Sequence, residues 1–318
     1  MYSYYCQVTS ALIDISYNCN AKCPFCLRQH LQTPLSGVMT PDIFDKVLYE
    51  LRKTPSIRTI VLAAAGEPLM NPYFGEYVSA LKKWGYKIHC ITNMALAHKF
   101  MDDLLKCDNL LLSIEGWDQE SYEFYRKGLS FASVKHNMER LDHEIKLLES
   151  KGVQRPIREV NLLLTRKTNV NLFVNCWSHL VDSIRIDVLL PLKHWNEKRQ
   201  LFERIYVEEL KDHYFEFIEG QKKLTCMQPF DRISIRANGE MALCCTDFKE
   251  ISLGRFTGLT SYYFDEQLVK VRREFLQGRT PDICQLCHLN LQVDRQAIFS
   301  LMPELNQYID DKRIKIAF

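Results

Sequence analysis

Six short aliphatic or β-branched runs, separated by longer amphipathic segments, fill the chain from residue 11 to about residue 190. The runs lie at 11–17, 59–65, 87–92, 109–115, 159–164 and 183–189, with helical patterns at 41–53, 74–84, 96–106, 133–150 and 170–180. The first of these helices is expected to start with Thr40 as N-cap and Pro41 at the first helical position. Alternation of this kind predicts a parallel sheet with covering helices. A run apolar on both faces, such as the one at 59–65, fits a strand buried on both sides. Six βα units follow if the charged segment after Leu190 supplies the last helix. Chemistry in such sheets gathers at the carboxyl ends of the strands.

Directly after the first run stands Asn18-Cys-Asn-Ala-Lys-Cys-Pro-Phe-Cys-Leu27, a C-x3-C-x2-C cluster of Cys19, Cys23 and Cys26. Three thiolates this close can hold three irons of a 4Fe-4S cluster and leave the fourth iron open to a ligand. A zinc site asks for four ligands, commonly in C-x2-C pairs. Buried structural cysteines would not be expected to run together.

Composition sets the frame. Hydrophobic residues make up 47% of the 318 and charged residues 25%, so a sizeable core can form. A net charge of +2 gives no electrostatic case for nucleic acid or an anionic membrane as partner. Residues 1–10 lack the basic and apolar stretches of a secretion signal, and no apolar run reaches membrane-spanning length. The expectation is a cytoplasmic enzyme, where clustered cysteines serve metal or catalysis rather than disulfides. Eight of the twelve cysteines are clustered; Cys6, Cys90, Cys107 and Cys176 are isolated and are read as small buried hydrophobes.

A second cluster follows a change of pattern near residue 220. The segment 197–223 is charged and poorly periodic, and is expected to be a helix with a connection. Beyond it, 231–236 and 240–243 alternate like strands around Asn238-Gly239, a strong hairpin signal, followed by a helical stretch at 265–277. Cys226, Cys244, Cys284 and Cys287 accompany these elements, the last two as a C-x2-C pair, and Cys245 is an eighth, spare thiol.

The C-x3-C-x2-C run, with Phe25 before its third cysteine, resembles the signature of the radical S-adenosylmethionine (SAM) superfamily. That resemblance implies a partial (β/α)6 TIM-like barrel of α/β class, with SAM chelated by the open iron. Ala65-Gly66-Glu67-Pro68 resembles the family's Gly-Gly-Glu-Pro loop, with Ala65 in place of the first glycine. Thr92-Asn93 resembles Thr-Asn-Gly with Met94 in the glycine place, and Ser113-Ile-Glu115-Gly116 resembles Ser-Ile-Asp-Gly. Gly66, Glu67, Pro68, Asn93, Ser113 and Glu115 are therefore the expected SAM contacts, with Gly66 letting the main chain approach the ligand.

The spacing Cys226-x12-Gly239-x4-Cys244 with Cys284 and Cys287 resembles a shortened SPASM domain, the twitch type of the butirosin-pathway radical SAM dehydrogenase. This implies one auxiliary 4Fe-4S cluster in a small C-terminal α+β domain; structural zinc is the alternative for four cysteines. The expected units are 1–220 for the barrel and 221–318 for the auxiliary domain.

The reaction implied is reductive cleavage of SAM to a 5′-deoxyadenosyl radical, which abstracts a substrate hydrogen atom. Two-electron oxidation through the auxiliary cluster is the preferred outcome. The alternative is redox-neutral epimerisation with Cys245 as hydrogen donor, and the remote one is a non-catalytic electron carrier. Asp247, Arg185, Asp187, Lys193 and His194 are candidates for the substrate groups, one of them serving as base for a hydroxyl proton. The expected partners are a small polar substrate (a sugar or aminocyclitol) or a peptide, and an electron donor such as flavodoxin or ferredoxin. The short stretch before the first strand leans toward the small molecule.

Overall fold

The computed structural model describes residues 8–31, 34–63, 65–196, 201–218, 226–247, 253–284, 287 and 292–317. The strands and helices of the barrel are, in order, β1 (Ser10–Ile13), α1 (Pro41–Arg52), β2 (Thr59–Leu62), α2 (Phe74–Lys83), β3 (Lys87–Thr92), α3 (Met101–Leu104), β4 (Asn109–Ser113), α4 (Gln119–Tyr125), α5 (Phe131–Ser150), β5 (Ile157–Leu164), α6 (Val170–Trp177) and β6 (Ser183–Val188). There follow β7 (Leu192–Asn196), β8 (Leu201–Ile205), β9 (Phe217–Ile218), α7 (Gln228–Asp231), β10 (Arg232–Ile235), β11 (Met241–Ala242), α8 (Leu259–Phe264), α9 (Glu266–Leu276), β12 (Gln292–Val293), α10 (Arg295–Leu301) and β13 (Ile314–Ala317).

Nine strands form one open sheet in the order β11-β10-β1-β2-β3-β4-β5-β6-β13. Every neighbouring pair is parallel except β10 with β11, which form the hairpin expected around Asn238-Gly239. This is a mixed α/β fold: the parallel sheet is what the alternation predicts, and its being unclosed is what the resemblance implies. The C-terminal strands extend it at both ends: β10 pairs with β1 and β13 pairs with β6.

The strands alternate between two environments. Ile88, Cys90, Leu110, Leu112, Val160, Leu162, Ile184 and Ile186 are buried and belong to the main core with residues of the helices. The opposite, inner face carries polar groups, with Asn109 bonded to His89 at 2.6 Å and Arg185 Nε to Asp187 Oδ2 at 2.8 Å. Near β1 and β2 the inner face is apolar as well, and Leu12, Val61 and Ala63 form a small cluster there. Apolar burial on both sides thus holds for part of the sheet, because an unclosed barrel leaves the rest of its lining wet.

Three expectations are corrected. Among its described residues the charged segment after Leu190 supplies no sixth α-helix: β7 and β8 pair as an antiparallel hairpin, followed by a 3-10 turn at Glu208–His213. The sequences Leu-Lys-His-Trp-Asn and Leu-Phe-Glu-Arg-Ile are rich in aromatic and aliphatic residues that suit a pleated surface, a signal obscured by the charges between them. The helix expected over 96–106 is instead a 3-10 turn at Ala97–Lys99 and the short α3, interrupted where Phe100 turns to meet Phe74 edge-on at 5.4 Å. Thr40 precedes α1 with Pro41 at its start, but its side chain makes no capping bond. Among the isolated cysteines, Cys90 and Cys107 are buried and Cys176 is half-buried; Cys6 lies outside the described residues. No described helix is long and apolar enough to cross a membrane.

Trp177 closes the core beside α5. It is fully buried, meets Phe131 edge-on at 5.9 Å, and donates its indole N–H to the Gly116 carbonyl at 2.9 Å. Trp177→Ala is expected to cost about 3 to 5 kcal/mol. Chemical denaturation of the variant against the parent protein checks this.

Candidate active site

The ladder of β1 stops at Ile13, short of the apolar run, because the residues after it turn to build a loop. Ser16 Oγ accepts from the Asn18 amide at 3.1 Å, and the loop carrying Cys19, Cys23 and Cys26 then leaves the sheet. Arg28 straps this loop from behind, donating from Nε to the Tyr17 carbonyl at 3.0 Å and from Nη2 to that of Leu35 at 2.9 Å. The Lys22 amide donates to the Lys127 carbonyl at 2.8 Å, which fastens the loop to the end of α4.

Glu67 ties the neighbouring loops together. Its buried carboxylate accepts from Thr92 Oγ1 at 2.6 Å, the Asn93 amide at 2.8 Å and the Leu69 amide at 3.2 Å, while its own amide donates to the Asn18 carbonyl at 2.9 Å. Burial pushes the carboxyl upward in pKa, against the lowering effect of those three donors. Asn93 reaches the cysteine loop, with Nδ2 donating to Asn20 Oδ1 at 2.9 Å. Thr92, part of the Thr-Asn motif but not among the expected SAM contacts, and Asn20 also join the candidate site.

Met94 has φ +64°, the only positive φ at a non-glycine residue among those described. It stands where the resemblance leads one to expect glycine, in the left-handed region that disfavours a side chain. The turn is held in place: Thr92 Oγ1 accepts from the Met94 amide at 3.1 Å, and Asn137 Nδ2 donates to the Met94 carbonyl at 2.8 Å.

Gly66 is required for a different reason from the one the sequence suggests. A Cβ placed there would lie 2.1 Å from the Ser16 carbonyl oxygen and 2.6 Å from that of Asn18. The missing side chain lets the Gly-Glu-Pro loop lie against the backbone that launches the cysteines. Pro68 begins the following 3-10 turn and is buried.

A cavity of about 230 Å³ opens at the carboxyl ends of β1 to β4. Cys19, Cys23 and Cys26 line it together with Gly66, Glu67, Asn93, Ser113 and Arg126. Of the six expected SAM contacts, Gly66, Glu67, Asn93 and Ser113 line it; Pro68 does not, and Glu115 is buried and pairs with Arg126. Arg126 also donates from Nη1 to Cys23 Sγ at 3.4 Å and lies 5.4 Å from the centre of the Phe25 ring.

The chemistry of the three thiols fits a metal cluster. Burial raises all three pKa values, that of Cys26 to about 11, so the protein alone leaves them protonated near neutrality. A bound cationic centre would deprotonate them. Among the described residues no three His, Cys, Asp or Glu side chains converge to hold a single metal ion. The three cysteines ring a cavity instead.

A second, small cavity adjoins the first through Ala65, which lines both. Asp14, Tyr17, Ser234, Arg236, Cys244, Cys245 and Asp247 contribute to its wall. Asp247 is buried in an ion pair with Arg236 at 3.0 Å and accepts from the Leu243 amide at 2.9 Å. Its carboxylate thus braces the loop carrying Cys244 and Cys245. Gln228 Nε2 approaches Cys245 Sγ at 3.6 Å, and Cys244 Sγ lies 3.3 Å from Thr246 Oγ1. Cys245 packs against the inner cluster of Leu12, Val61 and Ala63. Burial raises the pKa of the Cys226 and Cys245 thiols, and Cys287 lies near enough to both to add to that rise. Cys284 is half-buried at the end of a 3-10 turn.

Arg185 and Asp187 lie on the inner face of β6, paired with each other. Lys193 and His194 fall on β7, which packs near the Leu27–His30 turn, but their side chains lie outside the described residues.

Residues 13–148 match the Radical SAM superfamily. The chain carries a radical SAM domain. It is 26% identical over 187 residues, 57% of its length, to the tungsten-containing aldehyde ferredoxin oxidoreductase cofactor-modifying protein of Pyrococcus furiosus, and spans 51% of that relative. Two solved structures share the fold. BtrN in complex with AdoMet and 2-DOIA superimposes with a TM-score of 0.54 at 12% identity, over 88% of this chain and 93% of BtrN. Streptococcus suis SuiB bound to its precursor peptide SuiA gives 0.60 at 12% identity, over 84% of this chain and 67% of SuiB. A radical SAM domain implies binding of SAM and of an iron–sulfur cluster by residues 13–148.

Two outcomes follow from this geometry. Gly66→Ala should cost about 3 kcal/mol or more, since backbone must move, and should impair cluster loading as well as SAM binding. Iron content after anaerobic reconstitution and a denaturation curve report on the two effects. Asp14, buried and hydrogen-bonded by the Ala65 amide at 3.3 Å, has its pKa raised by burial to about 7. Its folded form therefore holds a proton that the unfolded chain has released, so its contribution is fully present below about pH 4 and is lost as pH rises to 7. The loss amounts to at most about 4 kcal/mol. Asp14→Asn should flatten the decline in stability between pH 4 and 7, as measured by denaturation across that range.

Proposed function

We propose that this protein is a radical SAM oxidoreductase that removes a hydrogen atom from a polar substrate and completes a two-electron oxidation through one auxiliary 4Fe-4S cluster. The observation that carries this reading is the cavity at the carboxyl ends of β1 to β4, where Cys19, Cys23 and Cys26 meet Gly66, Asn93 and Ser113 inside the matched domain. When bound there, SAM and its 4Fe-4S cluster supply a 5′-deoxyadenosyl radical for hydrogen abstraction.

The chain's own residues hold and shield that chemistry. Cys19, Cys23 and Cys26 would ligate the first cluster, while Gly66, Asn93 and Ser113 would contact SAM. Glu67 acts from behind by fixing the loops, and Phe25 and Ile91 in the same wall keep water out. Cys226, Cys244, Cys284 and Cys287 would ligate the auxiliary cluster in the unit 221–318. Arg185, Asp187, Lys193 and His194 are the groups we assign to the substrate, with a carboxylate, Lys or His among them taking the hydroxyl proton of an alcohol. Asp247 supports the adjoining loop through Arg236 rather than offering a free base. The substrate is a sugar, an aminocyclitol or a peptide. The electron comes from a donor such as flavodoxin or ferredoxin.

A second reading has its own observation. Cys245 packs against Leu12, Val61 and Ala63 on the inner side of the sheet, where a thiol can face a substrate in the barrel. In that case Cys245 returns a hydrogen atom to the opposite face of the substrate carbon, and the product is an epimer.

Reduced protein mixed with SAM should release 5′-deoxyadenosine, and the variant with Cys19, Cys23 and Cys26 changed to Ala should release none. Mass spectrometry of the product then separates the outcomes. A loss of two daltons, unaffected by Cys245→Ala, supports oxidation. An unchanged mass that gains one deuterium in heavy water, and is lost in Cys245→Ala, supports epimerisation. Absence of 5′-deoxyadenosine from the parent protein would refute both.

A further inference from the structure

Glu115 and Arg126 form a buried ion pair whose cation reaches the first cysteine site. The Glu115 side chain is 1% exposed and that of Arg126 is 11% exposed. Arg126 is held at the end of α4, its amide donating to the Tyr122 carbonyl at 2.8 Å. Its guanidinium serves two acceptors with different nitrogens: Nε donates to Glu115 Oε2, and Nη1 donates to Cys23 Sγ at 3.4 Å. Only a planar fork can do this; a lysine ammonium on its flexible stem does not fix two partners in one plane.

We propose that Arg126 is a positioning residue that sets the reduction potential of the first cluster. Its charge and its hydrogen bond to the Cys23 sulfur favour the reduced state, and Glu115 moderates that effect. The proposal rests on the reading that Cys19, Cys23 and Cys26 hold a cluster. Hydrogen bonds to cluster sulfurs and the local charge are among the main determinants of such potentials. Because Glu115 is buried and Arg126 nearly so, solvent does little to screen them, and removing either one leaves the other's charge uncompensated. The longer side chain of Glu115 at a place where the resemblance leads one to expect aspartate reaches Arg126, so the substitution and the ion pair are one feature.

A bracing role for the pair, joining β4 to α4, would leave the potential unmoved. The two roles separate by sign. In the full-length protein, reconstituted anaerobically with iron and sulfide, the first cluster's electron paramagnetic resonance signal is the one missing when Cys19, Cys23 and Cys26 are changed to Ala. Titration with dithionite then gives its reduced fraction at a fixed potential.

Arg126→Gln should lower the ratio of reduced to oxidised first cluster by about threefold or more, and Glu115→Gln should raise it by a similar factor, with Arg126→Lys lying between Arg126→Gln and the parent. Equal ratios in the parent and both glutamine variants, with the signal intact, overturn the proposal and leave the cluster reading standing. If Arg126→Gln fails to assemble the cluster, Glu115→Gln decides alone: an increase supports the proposal, and no change or a decrease overturns it. A parent protein without any such signal overturns the cluster reading and this proposal with it.

Discussion

The candidate site depends on one buried carboxylate. Glu67 has almost no exposure, yet it gathers a hydroxyl and two backbone amides from two strand ends and ties its own amide to the cysteine loop. A buried acid of this kind is costly unless each oxygen is satisfied. Here the cost is offset by donors that have to be brought together for the site to exist. The strand ends of β2 and β3 cannot move independently, and Asn93, fixed by this arrangement, reaches Asn20 between the first two cysteines. Gly66 has to be bare for the same reason, since the loop held by Glu67 lies directly on the carbonyls of Ser16 and Asn18.

The same economy of contacts links the two cysteine regions. A β-sheet edge needs a cover, and β10 supplies it by pairing in parallel with β1, with Ser10 opposite Arg232 and Ile13 opposite Ile235. That pairing carries the following turn, β11 and the Cys244-Cys245 loop to the carboxyl end of β1, beside the first cysteine loop. Ala65 then stands in the walls of both cavities. Proximity between the cysteine groups is a consequence of register, fixed by backbone ladders rather than by a linker.

Much of this was legible in the sequence and some was not, for physical reasons. Four of the five helical patterns and all six core strands follow from periodicity, since burial of one face is written every second or every third to fourth residue. The cysteine loop is legible because its ligand spacing is local. Strand ends were placed too late at 17, 65 and 115 because apolar residues there serve the loops after the ladder stops. The β7–β8 hairpin was hidden by charges that a helix would carry equally well. Helix α4 went unnoticed although Asp118 and Ser121 form a capping box at its start, a signal readable from sequence. Arg126 and Asp14 could not be picked out, because their partners are remote: Arg126 and Cys23 are separated by 103 positions, and Asp14 and Ala65 by 51.

These remote pairs explain how acids that resemble the family's motif residues come to have different work here. Glu67 and Glu115 both stand in recognisable motifs, but the carboxylates face protein donors, one toward a hydroxyl and two amides and the other toward a guanidinium. Glu67 nonetheless lines the cavity, whereas Glu115 does not. A motif fixes where the backbone goes; the side chain's role is set by which donor the fold brings to it. At Gly66 and Met94 the same principle operates on the main chain: one position is bare because two carbonyls press on it, and the other bears a left-handed turn because Thr92 and Asn137 hold it. The shape of the cavity is therefore determined before any cofactor enters, by contacts in which the cofactor takes no part.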